Sequence, residues 1–186
     1  MAAIRSRLLA KLDAAIKAAD TPLAAQCLRA ERAALLARQG QLERARGVID
    51  ELQAQLAWQP HNPLLRGWIT LAEGLHDYYS VIGREAQPTL EQAYSHAREV
   101  PGARRLQALT AAWLANMAFA NDDMARMAAL IREALELAEP QDHGARARAA
   151  LVAGYAFHFA GCNDAAQRWY EASRRHAIAE GDEAHL

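Results

Sequence analysis

Only two cysteines, six prolines and ten glycines occur in this chain of 186 residues, and each scarcity closes off a class of protein. Cys27 sits within an apolar helix pattern and Cys162 follows a turn glycine, far along the chain. Neither a disulfide framework nor a metal-ligand spacing is suggested, so both are read as free thiols suited to a reducing cytoplasm. No apolar run approaches the ~18–20 residues that cross a bilayer. The N-terminus alternates Ile4, Leu8 and Leu12 with Arg5, Arg7 and Lys11, an amphipathic helix rather than a secretory signal. The formal net charge is −1, a poor footprint for nucleic acid, which attracts a net basic face. Gly-x-Gly spacing, a phosphate loop, a Gly-x-Ser-x-Gly elbow and Cys-x-x-Cys are all missing. Nothing announces a reaction or a cofactor.

What is present in abundance is helix. The 52% apolar content is dominated by Ala and Leu, while Val, Ile and Thr are sparse. Gly and Pro cluster between the apolar stretches. Turns fall at Gly40, Gly83, Asp122 and Gly161, spaced by 43, 39 and 39 residues. A fixed period of this size signals stacked hairpins, in which no single unit buries its own apolar face. The expected elements are an N-terminal helix over 2–19 and helix pairs over about 22–57, 64–100, 103–138 and 143–180. Thr21 caps and Pro22 opens the second helix; Trp58-Gln59-Pro60-His61-Asn62-Pro63 breaks the chain before the fourth. The second pair carries about five extra residues around Gly83–Pro88. No linker or charge block intervenes, so one all-α domain of about nine helices spans 1–186. The final stretch, Ala179 to Leu186, reads like a turn and the start of another helix, as in a domain cut from a longer chain.

The recurring pattern resembles tetratricopeptide repeats: a small residue midway along the first helix, a Gly or Asp turn, and an alanine early in the second. In the fourth pair Gly154, Phe157, Gly161, Ala166 and Tyr170 take those places; in the first, Ala33, Leu36, Gly40, Ala45 and Ile49. Trp68, Leu71, Ala72 and Leu75 match in the second pair, and Leu114, Ala115, Asp122-Asp123, Ile131 and Ala134 in the third. Met127 stands where the repeat prefers Ala. A period near 40 rather than 34 is similar to the longer repeats in sensor arms of MalT-like and LuxR-type regulators, and to arrays preceding some diguanylate cyclases. The resemblance implies a right-handed α-solenoid whose first helices line a concave groove.

Carried over position by position, that groove takes Arg66, Ile69, Glu73, His76 and Asp77 from the second pair. The third supplies Ala112, Asn116 and Phe119, the fourth Arg148, Leu151, Tyr155, His158 and Phe159, and the first the small Ala30, Ala34 and Ala37 with Arg38. Asn116 and Arg148 match part of the constellation that clamps a peptide carboxylate, but its lysines are missing. Glu73-x-x-His76 has the spacing of a di-iron bundle ligand pair, yet no second such pair exists, and a polar helix face is the reading adopted. His158 between Phe157 and Phe159 is a packed or groove-lining histidine rather than a catalytic one. The resemblance implies a cytoplasmic, non-enzymatic scaffold that binds a protein or peptide, as the regulatory part of a bacterial signalling or transcription-regulatory protein. A small-ligand sensor is the alternative, an enzyme or metal protein a third. Neither nucleic acid nor membrane is an expected partner, and self-association stays open.

Overall fold

Long windows of Ala, Leu, Arg and Glu lose little side-chain freedom in a helix, and helix is what they form. A computed structural model describes residues 7–58, 62–80 and 85–182, with nine α-helices and no strand among the described residues. They are α1 (Arg7–Lys17), α2 (Pro22–Arg38), α3 (Leu42–Trp58), α4 (Pro63–Tyr79), α5 (Ala86–Arg98), α6 (Arg104–Ala120), α7 (Met124–Leu137), α8 (His143–Phe159) and α9 (Asn163–Glu180). The expected bounds of α2 to α9 hold to within two residues wherever they were given. Residues 2–6 of the first helix, the break at 59–61, the Gly83 turn and the tail at 183–186 lie outside the described residues.

Helix ends follow the side chains that terminate them. Thr21 Oγ1 accepts from the Ala24 amide at 3.1 Å with Pro22 in the first turn, and Asn62 Oδ1 accepts from Leu65 at 3.1 Å with Pro63 behind it. Asp123 Oδ1 caps α7 through the Arg126 amide at 3.0 Å. At the other ends, Gly40, Asp122 and Gly161 adopt left-handed φ of 72°, 60° and 75°. In each the following amide reaches five residues back: Gln41 to the Leu36 carbonyl, Asp123 to Ala118, Cys162 to Phe157, all at 2.9 Å. Three hairpins therefore share one Schellman turn, and Asp122 fills in it the place glycine occupies elsewhere.

Two compact units are present, Met1–Pro101 and Gly102–Leu186. In the first, α2 packs on α1, α3 and α4, while α4 also meets α3 and α5. In the second, α8 packs on α6, α7 and α9, and α6 on α7. The first helix of each pair is thus the central one, and in three of the four its buried face is largely alanine: Ala30, Ala33 and Ala37 in α2, Ala108 to Ala118 in α6, Ala145 to Ala153 in α8; α4 buries Leu65, Trp68, Ile69, Leu71 and Leu75 around Ala72 and Gly74. Small side chains let neighbouring axes approach, and Leu36, Ile49, Leu71, Trp113 and Leu114 fill what remains.

The closest approaches sit at glycine. A Cβ on Gly154 would stand 2.5 Å from Cε1 of Tyr170, as the repeat pattern predicts. The second pair crosses at Gly74, where a Cβ would stand 2.7 Å from Cδ2 of Leu90. Both partners lie sixteen positions on, the offset that also separates Ala33 from Ile49 and Ala115 from Ile131. The helix before each turn ends five residues past that small residue in all four pairs: Arg38, Tyr79, Ala120 and Phe159. The expected five-residue insertion around Gly83–Pro88 is therefore corrected. The second pair has the same reach as the others, and α5, at 13 residues, simply begins later.

Three substitutions test this geometry. Asp122→Gly should raise stability by about 1 kcal/mol in urea melts, since a left-handed backbone disfavours a Cβ. Gly74→Ala should cost about 1–3 kcal/mol, because Leu90 is fully buried and has nowhere to move. Gly154→Ala should cost less, because the Tyr170 ring is only half-buried and can turn aside while Ala gains helix propensity.

Candidate functional site

On α4, residues 66, 69, 73, 76 and 77 fall along one side of the helix, as their three- and four-residue spacing dictates. Ile69 is buried in the core, while Arg66, Glu73, His76 and Asp77 are half-buried. The last three meet a polar stripe on α3 that the sequence reading passed over: Arg46, Asp50 and Gln53. Arg46 Nη2 lies 2.9 Å from His76 Nδ1 and 3.6 Å from Asp77 Oδ1. Guanidinium only donates, so the Arg46 contact is a hydrogen bond when His76 Nδ1 is the bare nitrogen of the ring. Asp77 Oδ1 stands 3.4 Å from the same ring nitrogen, and the Gln53 amide donates to the Glu73 carboxylate. Burial pushes the Glu73 carboxyl above its ordinary value; Arg46 opposes that rise, and Asp77 and Asp50 add to it. The row is a polar seam between α3 and α4. Its spacing of i, i+4 and i+7 on α3 was visible in the sequence as a face awaiting a polar partner.

In the second unit the residues expected to line the groove divide. Asn116 and Arg148 are 6% and 8% exposed. The Arg148 guanidinium lies 3.7 Å above the centre of the Trp113 ring, a cation–π stack that joins α8 to α6 inside the unit. Ala112 is likewise buried. The aromatic residues behave differently. Phe119, at the end of α6, packs against Tyr155 and Phe159 with ring centres 5.8 and 5.6 Å apart. Tyr155 meets Tyr170 of α9 edge-on at 6.1 Å, and His158 meets Phe159 at 5.9 Å. Phe159 is 79% exposed although it is one of the largest apolar side chains present. His158 also borders an open cleft of about 400 Å³ along α9, with Tyr170 in its wall and Gln167, Glu171 and Arg174 beside it. Tyr170, read from sequence only as a packing position, thus belongs to this surface.

Burial, then Glu31, pushes the Cys27 thiol up to about 11, so it is protonated at neutral pH and a poor nucleophile. Among the described residues no three His, Cys, Asp or Glu side chains converge to hold a metal ion, and Glu73 and His76 face Gln53 and Arg46 instead. No helix among the described residues is long and apolar enough to cross a membrane. Compared with known proteins, the chain matches no family model, no curated protein and no solved structure.

The Glu73 environment sets a pH dependence. A carboxyl whose folded value is raised contributes stability below its ordinary value of 4.5, and that contribution is lost as pH rises through the folded value. Glu73→Gln removes the buried charge and keeps a partner for Gln53. Thermal melts should find it more stable than the parent at pH 7 and level with it at pH 4. A loss at pH 7 would mean that attraction to Arg46 outweighs burial.

Proposed function

We propose that this chain is an interaction scaffold that holds a protein or peptide partner against the exposed ends of its hairpin helices. By the resemblance of its repeats, it serves as the regulatory or sensory module of a bacterial signalling or transcription-regulatory protein in the cytoplasm. One observation carries the reading: Tyr155 and Phe159 both pack against Phe119, yet Phe159 remains 79% exposed. A large ring held outward by its neighbours has lost its conformational freedom in advance, so little ordering is left for a partner to impose. Aromatic anchors of this kind dominate interface energetics. The polar side chains along the α9 cleft, Gln167, Glu171 and Arg174, supply the rim that fixes orientation. This reading needs no reaction and no cofactor. The second reading, a small-ligand sensor, draws on the same cleft, whose size of about 400 Å³ falls within the usual range for small ligands.

Panning a phage-displayed random peptide library on the full chain tests the scaffold reading. Selected peptides should lose at least about tenfold in affinity, about 1.4 kcal/mol, to Phe159→Ala or Tyr155→Ala. They should bind Trp58→Ala unchanged, because Trp58 is an equally exposed ring in the first unit, 89% accessible, and lies outside the proposed surface. Melting temperature of Phe159→Ala should stay near the parent value, since that ring is mostly in water. Peptides sensitive to Trp58→Ala and indifferent to Phe159→Ala would place recognition elsewhere.

A further inference from the structure

Histidine alone among side chains changes charge near neutral pH without help, and two of them meet inside the second unit. His143 opens α8 and His176 lies in the last turns of α9, both half-buried. Their Nδ1 atoms are 3.1 Å apart and their ring centres 5.4 Å apart, tilted by 33°. At that distance one Nδ1 must donate a proton and the other must offer a bare lone pair. The contact is therefore possible in some protonation states and impossible in others. A first added proton goes to the outer nitrogen of the donor ring and leaves the bond in place. A second must land on the accepting Nδ1, and two N–H groups then point at each other across two cations.

We propose that the His143–His176 pair is a proton-operated latch that closes the α8–α9 hairpin at neutral pH and releases it under mild acid. The surroundings decide how well the extra charge is tolerated. On α6, Arg105 stands 3.9 Å from Asp142 and 3.7 Å from Glu180, so both of those carboxylates already face a cation. Glu180 also lies against Gly144, next to His143. From the α7–α8 turn, Glu139 and Ala138 offer backbone carbonyls to the Arg146 guanidinium at 3.1 and 2.6 Å, and Asp142 Oδ2 accepts from the Glu139 amide. Arg146 of α8 and Arg175 of α9 add positive charge beside the pair. The charges that act on His176 are thus all positive, His143 with Arg146 and Arg175, while the carboxylates of Asp142 and Glu180 face Arg105. The same arginines disfavour a metal cation at the two nitrogens, and no third ligand converges there among the described residues.

The His176 imidazole accordingly sits below its ordinary value, through burial first and then through His143, Arg146 and Arg175. A histidine depressed in the folded state contributes stability that is full above its ordinary value of 6.5 and is lost as pH falls below it. Release should therefore begin below pH 6.5 and be local, because Ser173 Oγ still donates to the Ala147 carbonyl at 2.8 Å and Gly154 still meets Tyr170 further along the hairpin.

Amide hydrogen exchange on the full chain at pH 7.5 and 5.5, corrected for intrinsic rates, tests this directly. Protection in the first turn of α8 and the last two turns of α9 should fall at least fivefold at the lower pH, with α6 and α7 unchanged. In His143→Gln and His176→Gln that fall should vanish. A fall that persists in both variants would assign the effect to carboxylates and overturn the latch, as would unchanged protection in the parent chain. Should the variants fail to fold, imidazole nitrogen spectra of the parent still decide. Two tautomers and a shared, two-step titration support the latch; two independent single-step titrations overturn it.

Discussion

How near two helix backbones can come is the constraint on which this structure rests. An alanine-rich helix offers little side-chain bulk, so it shares a core only with a neighbour close enough to make that bulk sufficient. Gly74 against Leu90 and Gly154 against Tyr170 set that closeness in two hairpins, and Ala33 and Ala115 hold the corresponding places in the others. Everything larger is arranged around it. Leu36, Ile49, Leu71 and Leu114 fill the flanks, and the left-handed turns at Gly40, Asp122 and Gly161 return the chain at the height where the second helix meets the small residue. The two requirements support one another, since a slip in either turn or crossing would leave a cavity or a clash.

Much of this was legible beforehand because it is local. Thr21, Asp123, Gly40 and Gly161 act through bonds to residues within a turn or two, so sequence neighbours suffice to read them. Gly74 was missed for an instructive reason. Ala72, two residues before it, also matches the small position of the repeat, and only the approach to Leu90 of α5 marks Gly74 as the crossing. The candidate site divides along the same line. Of the residues given to a groove, Phe159 is exposed, Phe119 and Tyr155 are half-buried, and Arg148 and Asn116 are buried. Their fate depends on Trp113, a residue of another helix, and periodicity within α8 carries no information about it. His143 and His176, 33 positions apart, are legible only once the hairpin is closed.

The two units spend their polar residues differently. In the first, Arg46, Gln53, Glu73, His76 and Asp77 satisfy one another across α3 and α4, which leaves little unspent capacity for a ligand. In the second, the polar groups of the interior are internal too, but Phe159 at the end of α8 keeps 79% of its surface exposed while its ring packs on Phe119. Burial energy that a soluble chain would ordinarily collect by folding is left uncollected there.

The constant offset of sixteen between small residue and partner has a bearing on how such a chain can change over time. A hairpin is self-contained in its numbering: its turn, its crossing and its cap are all fixed relative to its own small residue. Removing or duplicating the stretch from one small residue to the next, 41 residues from Ala33 to Gly74 or 39 from Ala115 to Gly154, rejoins equivalent helical positions. A deletion inside a helix that is not a whole number of turns breaks the helix phase and turns an alanine face toward water. Gain and loss by whole hairpins is thus the mutational step this architecture absorbs most readily, while single-residue insertions are confined to the connections between pairs.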